Sequence, residues 1–237
     1  MEKIWTEQET EKSLAEQAAV RGGLTLETDG DGLFLTDGKL VLRGDFTRML
    51  PRLKENNLRG ELLVRAAKLK DRESHPRAID ATAGLGEDAL LLAAAGFFVQ
   101  LYEYNPVIGA LLEDSLRRAA KIPELAEAAA RMEFSRADSI EQLRNLDYAP
   151  DLILLDPMFP ARQKSSLVKK KFQLLQHLEQ PCTDEAELLQ AAMAAKPKKI
   201  IIKRPSKGPY LAGIKPSYSI EGKGIRYDCI LLFPDAR

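Results

Sequence analysis

The sequence predicts an α/β fold in which helices cover a mostly parallel sheet that ends in an antiparallel hairpin, preceded by a small N-terminal α+β subdomain. Three observations support this prediction. From Ala78 onward, short apolar runs alternate with helical patterns, as they do in parallel sheets covered by helices. Glycines at positions 84 and 86 follow the first apolar run. The last two apolar runs flank residues 222–224, a Gly-Lys-Gly sequence typical of a hairpin turn.

The main domain is predicted to contain five strands and the hairpin, seven strands in all. Two of them, Leu152–Leu155 and residues 199–203, are apolar enough to be buried on both faces, as central strands of a parallel sheet are. In chain order the predicted strands are a strand that ends at residues 78–80, then 97–103, 132–136, Leu152–Leu155, 199–203, Tyr218–Glu221 and 225–232.

Capping residues mark the ends of the first two helices of this domain. A helix over residues 87–95 stops at Gly96, because glycine tolerates the left-handed conformation that follows many helices. The next helix begins after Asn105, whose side chain can accept hydrogen bonds from the first helical amides. Pro106 stands at the first helical position, where no amide donor is needed, and the helix runs to about residue 120.

Residues 1–70 lack this alternation and are predicted to form the small N-terminal subdomain. A polar, helical start is followed by two strand-like pieces, at residues 33–35 and 40–42, that a short turn joins. The charged stretch at residues 68–76, which ends in a proline, is the predicted link to the main domain at residues 71–237.

Charge is distributed unevenly, although the 237-residue chain has a net charge of zero. Residues 161–237 contain 15 lysines and arginines against 7 aspartates and glutamates, a net charge of +8 that residues 1–160 balance. This basic third favours a polyanionic partner, and solvated lysines on helix faces are the alternative. No apolar run approaches the roughly 20 residues that span a bilayer, and the start is too polar for a secretory signal, so we expect a cytoplasmic protein. The two cysteines lack metal-ligand spacing, and no metal site is predicted.

The strand-to-helix turn from Asp80 to Asp88 is a candidate nucleotide site. Gly84 and Gly86 let the backbone turn sharply and let a ligand approach main-chain amides at the start of the helix. The alternatives are a tight turn without a ligand and a nicotinamide site, whose pattern tolerates the alanine at position 89. The two glycines alone therefore do not identify the cofactor.

Three acidic residues stand where predicted strands end, and the carboxyl ends of parallel strands line one crevice. Glu103 can accept hydrogen bonds from both ribose hydroxyls of an adenosine, and Asp138 can meet the adenine edge. Asp156 ends the apolar strand Leu152–Leu155. The alternative for Glu103 and Asp138 is that they cap helices. The convergence of three carboxylates at one crevice favours an adenosine-containing ligand.

Asp156-Pro157-Met158-Phe159-Pro160 looks like the Asp/Asn-Pro-Pro-Tyr/Phe motif of enzymes that methylate exocyclic amino groups. The lone pair of such an amine is delocalised into its ring. A carboxylate and a main-chain carbonyl that accept its two protons would direct that lone pair towards a methyl donor. Prolines fix φ and keep the carbonyl in place, and Phe159 offers a stacking face for a base. A proline turn with a buried Phe159 is the alternative.

With these residues the chain resembles the bacterial ribosomal RNA small subunit methyltransferase J family, which methylates the exocyclic N2 of a guanosine in 16S ribosomal RNA. The resemblance extends from about Asp80 to the carboxyl terminus. Five blocks carry it, and the last two are more specific than a glycine loop: Asp80-Ala81-Thr82-Ala83-Gly84-Leu85-Gly86, Asn105-Pro106-Val107, Asp156-Pro157-Met158-Phe159-Pro160, Gln163-Lys164-Ser165 with Leu167-Val168-Lys169-Lys170, and Lys203-Arg204-Pro205.

The resemblance implies a Rossmann-like class I methyltransferase fold with S-adenosylmethionine as cofactor and no metal. Glu87 and Tyr104 stand where the family commonly has arginine, and Tyr104 can still lie against adenine. The family's cofactor positions carry over onto Glu87, Asp88, Glu103, Tyr104, Asp138, Ser139 and Asp156. Together with Asp80, Gly84 and Gly86 of the turn, they form the predicted cofactor site.

The resemblance also implies an RNA acceptor, either small-subunit ribosomal RNA or the small ribosomal subunit. Asp156, Pro157 and Phe159 are the predicted catalytic residues. The alternatives are an amino group in DNA, a protein glutamine, or an inactive binding module with the same fold. The basic residues predicted to contact phosphates while the target base is turned out of its stack are Lys164, Lys169, Lys170, Lys203 and Arg204. For a helix over residues 165–178, lysines on a solvated face are the alternative.

Overall fold

The computed structural model describes residues 7–70, 75–157, 174 and 184–232, and its main feature is a seven-stranded sheet. In chain order the strands are β1 (Thr25–Asp29), β2 (Gly32–Thr36), β3 (Val41–Leu42), β4 (Arg77–Asp80), β5 (Phe98–Tyr102), β6 (Met132–Ser135), β7 (Leu152–Leu155), β8 (Lys199–Pro205), β9 (Tyr218–Glu221) and β10 (Ile225–Leu231). The order in the large sheet is β6-β5-β4-β7-β8-β10-β9. Strands β4 to β8 pair in parallel, and β10 pairs antiparallel with both β8 and β9. The predicted α/β fold and the C-terminal hairpin are confirmed.

The strand order creates a crevice between β4 and β7. The chain moves outward from β4 to β5 and β6, and then returns to β7 on the other side of β4. In open α/β sheets, ligands bind outside the carboxyl ends of the strands at such a switch point. Here the two carboxyl ends lie side by side, since the Ala81 amide donates to the Leu154 carbonyl at 3.1 Å. The loop after β4 is therefore adjacent to the loop after β7.

The helices begin and end close to the predicted positions. Asn105 caps α6, accepting hydrogen bonds from the amides of Val107 and Ile108 at 2.9 and 3.2 Å, and Gly96, with φ +94°, follows α5. The helices of the described residues are α1 (Glu7–Arg21), α2 (Leu50–Leu53), α3 (Glu55–Gly60), α4 (Leu62–Ala66), α5 (Glu87–Ala94), α6 (Pro106–Ala119), α7 (Pro123–Ala129), α8 (Ser139–Arg144) and α9 (Glu185–Ala194), with 3₁₀ turns at Phe46–Met49 and Leu211–Gly213. None of these helices of the described residues is long and apolar enough to cross a bilayer.

The core lies on both faces of the sheet. All four residues of β7 are buried, and because side chains alternate along a strand, Leu152 and Leu154 pack on the α5 side while Ile153 and Leu155 pack on the α9 side. Burial of each such side chain contributes about 1.5–3 kcal/mol. Cores on both faces of the sheet therefore hold in place the carboxyl ends of the strands, where the loops of the crevice begin.

The N-terminal residues contain one strand more than the sequence analysis predicted. β1, β2 and β3 form an antiparallel sheet of their own, and β1 was missed because its residues alternate little and are mostly exposed. This small sheet packs on α6, with Leu35 and Leu42 against Val107 and Leu111. The predicted α+β character of this part agrees with the structure.

Residues 46–67 pack into the core of the main sheet rather than onto the small one. Phe46 and Leu63 are buried in the same cluster as α5, and the ammonium of Lys199, at the start of β8, donates to the carbonyls of Ala66 and Lys68 at 2.8 and 2.5 Å. The division at residue 70 stays a prediction.

Candidate active site at the edge of the sheet

The loop after β4 has one glycine that faces open space. Gly84 has φ +53°, and a Cβ added there would meet no heavy atom closer than the Thr82 carbonyl oxygen, at 4.0 Å. The Gly84 amide donates to Glu103 Oε2 at 3.0 Å. A ligand can therefore approach the backbone at Gly84, beside the Glu103 carboxylate.

The second glycine of the loop has a packing role. Gly86 is buried with φ +78°, and a Cβ added there would lie 2.6 Å from Leu112 Cδ1 and 3.1 Å from the Phe46 ring. The ligand contact of Gly86 stays a prediction, and the structure gives this residue a packing role, because a side chain there would point into the core. This glycine lets α5 begin close to α6 and the 3₁₀ turn.

Glu103 lies at the end of β5 and accepts hydrogen bonds from the backbone. Besides the amide of Gly84, its carboxylate binds the Asn105 amide at 2.8 Å. Burial raises the pKa of Glu103 above its usual range, and these amide hydrogen bonds oppose the shift. The neighbouring Tyr104 side chain is 76% exposed, so its ring lies at the rim of the crevice.

Asp138 and Ser139 lie at the start of α8, beyond the end of β6. The Asp138 carboxylate accepts a hydrogen bond from the Ile140 amide at 2.9 Å, so it caps the helix, and it is exposed. Glu87 is exposed at the first position of α5. These residues therefore lie at the starts of two helices, each of which follows the carboxyl end of a parallel strand.

Asp80, the last residue of β4, is buried beneath the crevice. It is 2% exposed, and its Oδ1 accepts a hydrogen bond from the Thr82 amide at 3.1 Å. Burial, together with the nearby carboxylates of Asp88 and Asp156, raises the pKa of Asp80 to about 8. The structure therefore favours a role in shaping the loop over direct ligand contact.

One lysine joins the start of α5 to the loop after β7. Lys203 Nζ, on β8, lies 2.7 Å from Asp88 Oδ2 and 2.8 Å from Asp156 Oδ2. Burial by itself lowers the pKa of Lys203, but the two carboxylates more than offset this and raise it above its usual value. The lysine is thus a cation between two carboxylates, where the sequence analysis predicted a phosphate contact.

Asp156 combines partial exposure with fixed contacts. Its side chain is 36% exposed, while its amide donates to Thr82 Oγ1 at 2.6 Å and Pro157 behind it is buried. Burial raises the pKa of Asp156, Lys203 opposes the shift, and the Asp88 carboxylate adds to it. Thr82 was not singled out from the sequence, since a threonine in a glycine loop gives no signal of a partner 74 residues away.

Arg204 lies on the opposite face of β8 from Lys203. Its side chain is 1% exposed, Nε donates to the Pro209 carbonyl at 2.9 Å, and Nη1 lies 3.4 Å from Glu185 Oε1. The prediction that Arg204 contacts phosphates is wrong, because successive side chains of a strand point to opposite faces and both faces of β8 are covered here.

Tyr227 on β10 is a further residue of this cluster that the sequence analysis missed. It pairs with Lys203 in the antiparallel register, and it is 3% exposed. Burial and the charge of Asp88 raise the pKa of its hydroxyl. The pairing of hairpin residues with β8 could have indicated it, but only with the register known.

Four predicted residues lie outside the described part of the chain: Phe159, Lys164, Lys169 and Lys170. The predicted site residues that lie together at the carboxyl edge of the parallel strands form two groups. The ends of β4, β5 and β6 present open backbone at Gly84 and the carboxylate of Glu103, which fits a ligand with ribose hydroxyls. The ends of β7 and β8 present Asp156, held by Lys203, which can accept protons from an amine.

Comparisons with known proteins found a matching family model, related proteins and a related solved structure. A family model described as a putative SAM-dependent methyltransferase matches residues 23–232. A protein of Thioalkalivibrio sulfidiphilus named ribosomal RNA small subunit methyltransferase J is 43% identical over 213 residues, which are 86% of this chain and 83% of that one. A Pseudomonas aeruginosa protein of the same name is 49% identical over 154 residues, 65% of this chain and 59% of the relative. The crystal structure of a SAM-dependent methyltransferase from Neisseria gonorrhoeae has a TM-score of 0.73 and 30% identity, covering 98% of this chain and 94% of that one.

Proposed function

Since the chain belongs to the ribosomal RNA small subunit methyltransferase J family of SAM-dependent methyltransferases, we propose that it methylates small-subunit ribosomal RNA. The acceptor in this proposal is the exocyclic N2 of a guanosine in 16S ribosomal RNA, in free RNA or in the small subunit. Since ribosomal subunits are cytoplasmic, the reaction takes place in the cytoplasm.

The observation that carries the proposal is the position of Asp156. Asp156 directly follows β7 at the switch point of the sheet, and its carboxylate is partly exposed. The neighbouring loop after β4 contains Gly84, which faces open space. A methyl donor beside Gly84 and an acceptor beside Asp156 would therefore occupy neighbouring positions. Placing two reactants in contact in the right orientation can lower the barrier of such a transfer by about 7–11 kcal/mol.

S-adenosylmethionine, when bound, supplies a methyl group on a positively charged sulfur. The residues proposed to bind it are those around the crevice on the β4 to β6 side, where Gly84 offers backbone and Glu103 a carboxylate. Tyr104, which is exposed beside Glu103, is proposed to cover the adenine. The remaining proposed contacts on this side are Glu87, Asp138 and Ser139.

Asp156 is the proposed catalytic residue because it can accept a hydrogen bond and a proton from the amine. An aromatic amine is a weak nucleophile, and an acceptor for its N–H groups increases the electron density on nitrogen. The Asp156 carboxylate must be ionised for this. Pro157 fixes the direction of the backbone after Asp156, and Phe159 is proposed to stack on the base.

Lys203 is proposed as a positioning residue that acts through Asp156. Its ammonium binds the same carboxylate that must accept the proton, and it also binds Asp88 on α5. A cation in contact favours the ionised form of a carboxyl group. Without Lys203, burial and the neighbouring Asp88 would both favour protonated Asp156. The lysine thus keeps the acceptor ionised and links it to the first turn of α5.

Methyl transfer from labelled S-adenosylmethionine tests the proposed function. Purified protein is incubated with small ribosomal subunits, free 16S ribosomal RNA, DNA and bulk protein, and labelled nucleosides are identified by mass spectrometry. We expect label in N2-methylguanosine from the small-subunit samples. Label only in DNA or in protein would identify a different acceptor, and no label in any sample would favour the inactive binding module.

A further inference from the structure

The backbone amide of Asp156 is bound by a side chain rather than by a neighbouring strand. The pairing of β7 with β4 ends where the Ala81 amide donates to the Leu154 carbonyl at 3.1 Å, and the register of β7 with β8 ends at Leu155. The next amide, that of Asp156, donates to Thr82 Oγ1 at 2.6 Å. A backbone donor beside a buried strand needs a partner, and here the Thr82 hydroxyl supplies it where the sheet stops.

Thr82 lies on a loop whose backbone has little freedom. Four consecutive amides, those of residues 81–84, all donate hydrogen bonds, and their acceptors are in turn the Leu154 carbonyl, Asp80 Oδ1 at 3.1 Å, the Tyr102 carbonyl at 3.1 Å and Glu103 Oε2 at 3.0 Å. Threonine is also stiff about χ1, because its Cβ is branched. The Thr82 hydroxyl is therefore a fixed point on the loop after β4.

Asp156 is held at two points by residues from two different elements. Thr82 binds its amide, and Lys203 Nζ lies 2.8 Å from its carboxylate oxygen Oδ2. The first contact fixes the backbone from which the side chain projects, and the second fixes the far end of the side chain. Together the two contacts determine the direction of the carboxylate.

The loop that carries Thr82 also carries the cofactor side of the crevice. Gly84, two residues further on, faces open space, and its amide binds Glu103. The hydrogen bond that Thr82 accepts from Asp156 therefore ties the acceptor side to the loop proposed to hold the methyl donor. In a transfer between two bound molecules, a misplacement of about 1 Å can lower the rate by about 10²-fold.

We propose that Thr82 is a positioning residue for methyl transfer, which holds Asp156 in place relative to the methyl donor through the hydrogen bond between its hydroxyl and the Asp156 amide. The inference rests on the proposed function, since it assumes that Asp156 accepts a proton from the acceptor amine. Thr82 acts through the backbone of Asp156 and adds no charge, which distinguishes its role from that of Lys203.

Thr82→Val and Thr82→Ser test the role of the hydroxyl. Valine has nearly the shape of threonine but leaves the Asp156 amide without its acceptor, whereas serine retains the hydroxyl. The matched control is Thr36→Val in the small N-terminal sheet. Thr36 lies on β2 and is 8% exposed, and its Oγ1 likewise accepts a backbone hydrogen bond, from the Gly38 amide at 2.9 Å.

The rate of single-turnover methylation of 16S ribosomal RNA and of small subunits is measured at saturating RNA and S-adenosylmethionine. The affinities for RNA and S-adenosylhomocysteine and the melting temperature are measured on the same samples. We expect Thr82→Val to lower the rate by about 10- to 100-fold with wild-type affinities for both ligands. Thr82→Ser should stay close to the wild-type rate.

The control separates positioning from stability. Each valine variant loses one hydrogen bond, so both should have a lower melting temperature, but Thr36→Val should keep the wild-type rate. If Thr82→Val does not fold, Thr82→Ala supplies the same comparison, because it removes the hydroxyl and leaves room for a water molecule at the Asp156 amide. The alanine variant is expected to be slow as well.

A wild-type rate in the folded Thr82 variant that lacks the hydroxyl would overturn the inference, and so would a serine variant as slow as that one. A rate that falls only because S-adenosylhomocysteine binds more weakly, and that recovers at higher cofactor concentration, would also overturn it and assign Thr82 to cofactor binding.

The same samples separate this inference from the proposed function. If wild-type protein methylates the RNA and loss of the Thr82 hydroxyl leaves the rate unchanged, only the role of Thr82 is wrong. If wild-type protein does not methylate the RNA, the proposed function fails and the inference fails with it.

Discussion

The two halves of the sheet edge stabilise their charged groups in different ways. On the cofactor side, carboxylates bind backbone amides: Glu103 accepts from Gly84 and Asn105, and Asp138 caps α8. On the acceptor side, charged side chains bind one another, with Lys203 between Asp88 and Asp156. A backbone amide cannot titrate and moves only with its element, whereas a side-chain network depends on the protonation of every member.

This difference predicts how substitutions act in each half. Changes on the cofactor side should have local effects on fold or cofactor binding. Changes on the acceptor side should alter the protonation of Asp156, and their effects should not be additive, because residues of one network are coupled.

The largest expected effect is that of Asp156→Ala. Loss of the proton acceptor should lower kcat by about 10²–10⁴-fold, the usual contribution of such a group. Asp156→Asn keeps one acceptor oxygen without the charge and should retain more activity than the alanine variant. Single-turnover methylation measures both, and binding of S-adenosylhomocysteine with an unchanged melting temperature serves as the control for folding. Equal rates of wild type and Asp156→Ala would exclude this residue from the reaction.

Two alanine substitutions in one loop sharpen the comparison on the cofactor side. Gly86→Ala should reduce the free energy of unfolding by roughly 2–4 kcal/mol, since its Cβ would lie 2.6 Å from Leu112 Cδ1 and its φ is left-handed. Gly84→Ala should cost only the backbone strain of about 1–2 kcal/mol but should weaken S-adenosylhomocysteine binding. Thermal unfolding and calorimetry separate the two effects. The account of the crevice is wrong if Gly84→Ala binds the ligand as wild type does.

A smaller effect is expected from Asp80→Asn, and it depends on pH. The pKa of Asp80 is about 8 in the folded protein against 3.8 ordinarily, so the folded state binds this proton more tightly. The stability that this proton contributes is present below about pH 4 and is lost as the pH rises towards about 8. The asparagine variant has no such loss, so its melting temperature should rise relative to wild type between pH 5 and 8, by about 2–4 °C for each kcal/mol. A constant difference across this range would show that Asp80 is ionised throughout.

The sequence was sufficient for the elements of the main domain and for the position of Asp156. Apolar runs, Asn105 and Gly96 are local signals that can be recognised in the sequence. β1 was missed because an exposed strand has no apolar alternation. The phosphate contact predicted for Lys203 stays a prediction, and Arg204 is buried because β8 continues to Pro205, beyond the predicted end of the strand at residue 203. Whether a charged side chain is buried depends on where the strand ends and on which helices cover each face of the sheet. Neither can be read from the local sequence.

Gly86 illustrates the same limit on the cofactor side. The spacing of the glycines predicted a turn correctly, but the close neighbours of Gly86 include Phe46 and Leu112, which are distant in sequence. Residue type and spacing thus identify a loop, and the packing decides which of its residues faces a ligand.

The most direct test of the account is the pH dependence of single-turnover methylation in Lys203→Met. Asp156 must be ionised, and besides Lys203 the charged or titratable groups of the described residues that act on its carboxylate are Asp80, Asp88, Arg204 and Tyr227. Removal of the lysine should therefore move the acid limb of the rate profile to higher pH, by on the order of one unit. Lys203→Arg should retain the wild-type limb, and Asp88→Asn in the Lys203→Met background should move the limb partly back. The account would be contradicted if Lys203→Met left the acid limb of the rate profile unchanged and reduced the salt dependence of RNA binding. That result would indicate that Lys203 contacts RNA phosphates, as the sequence predicted.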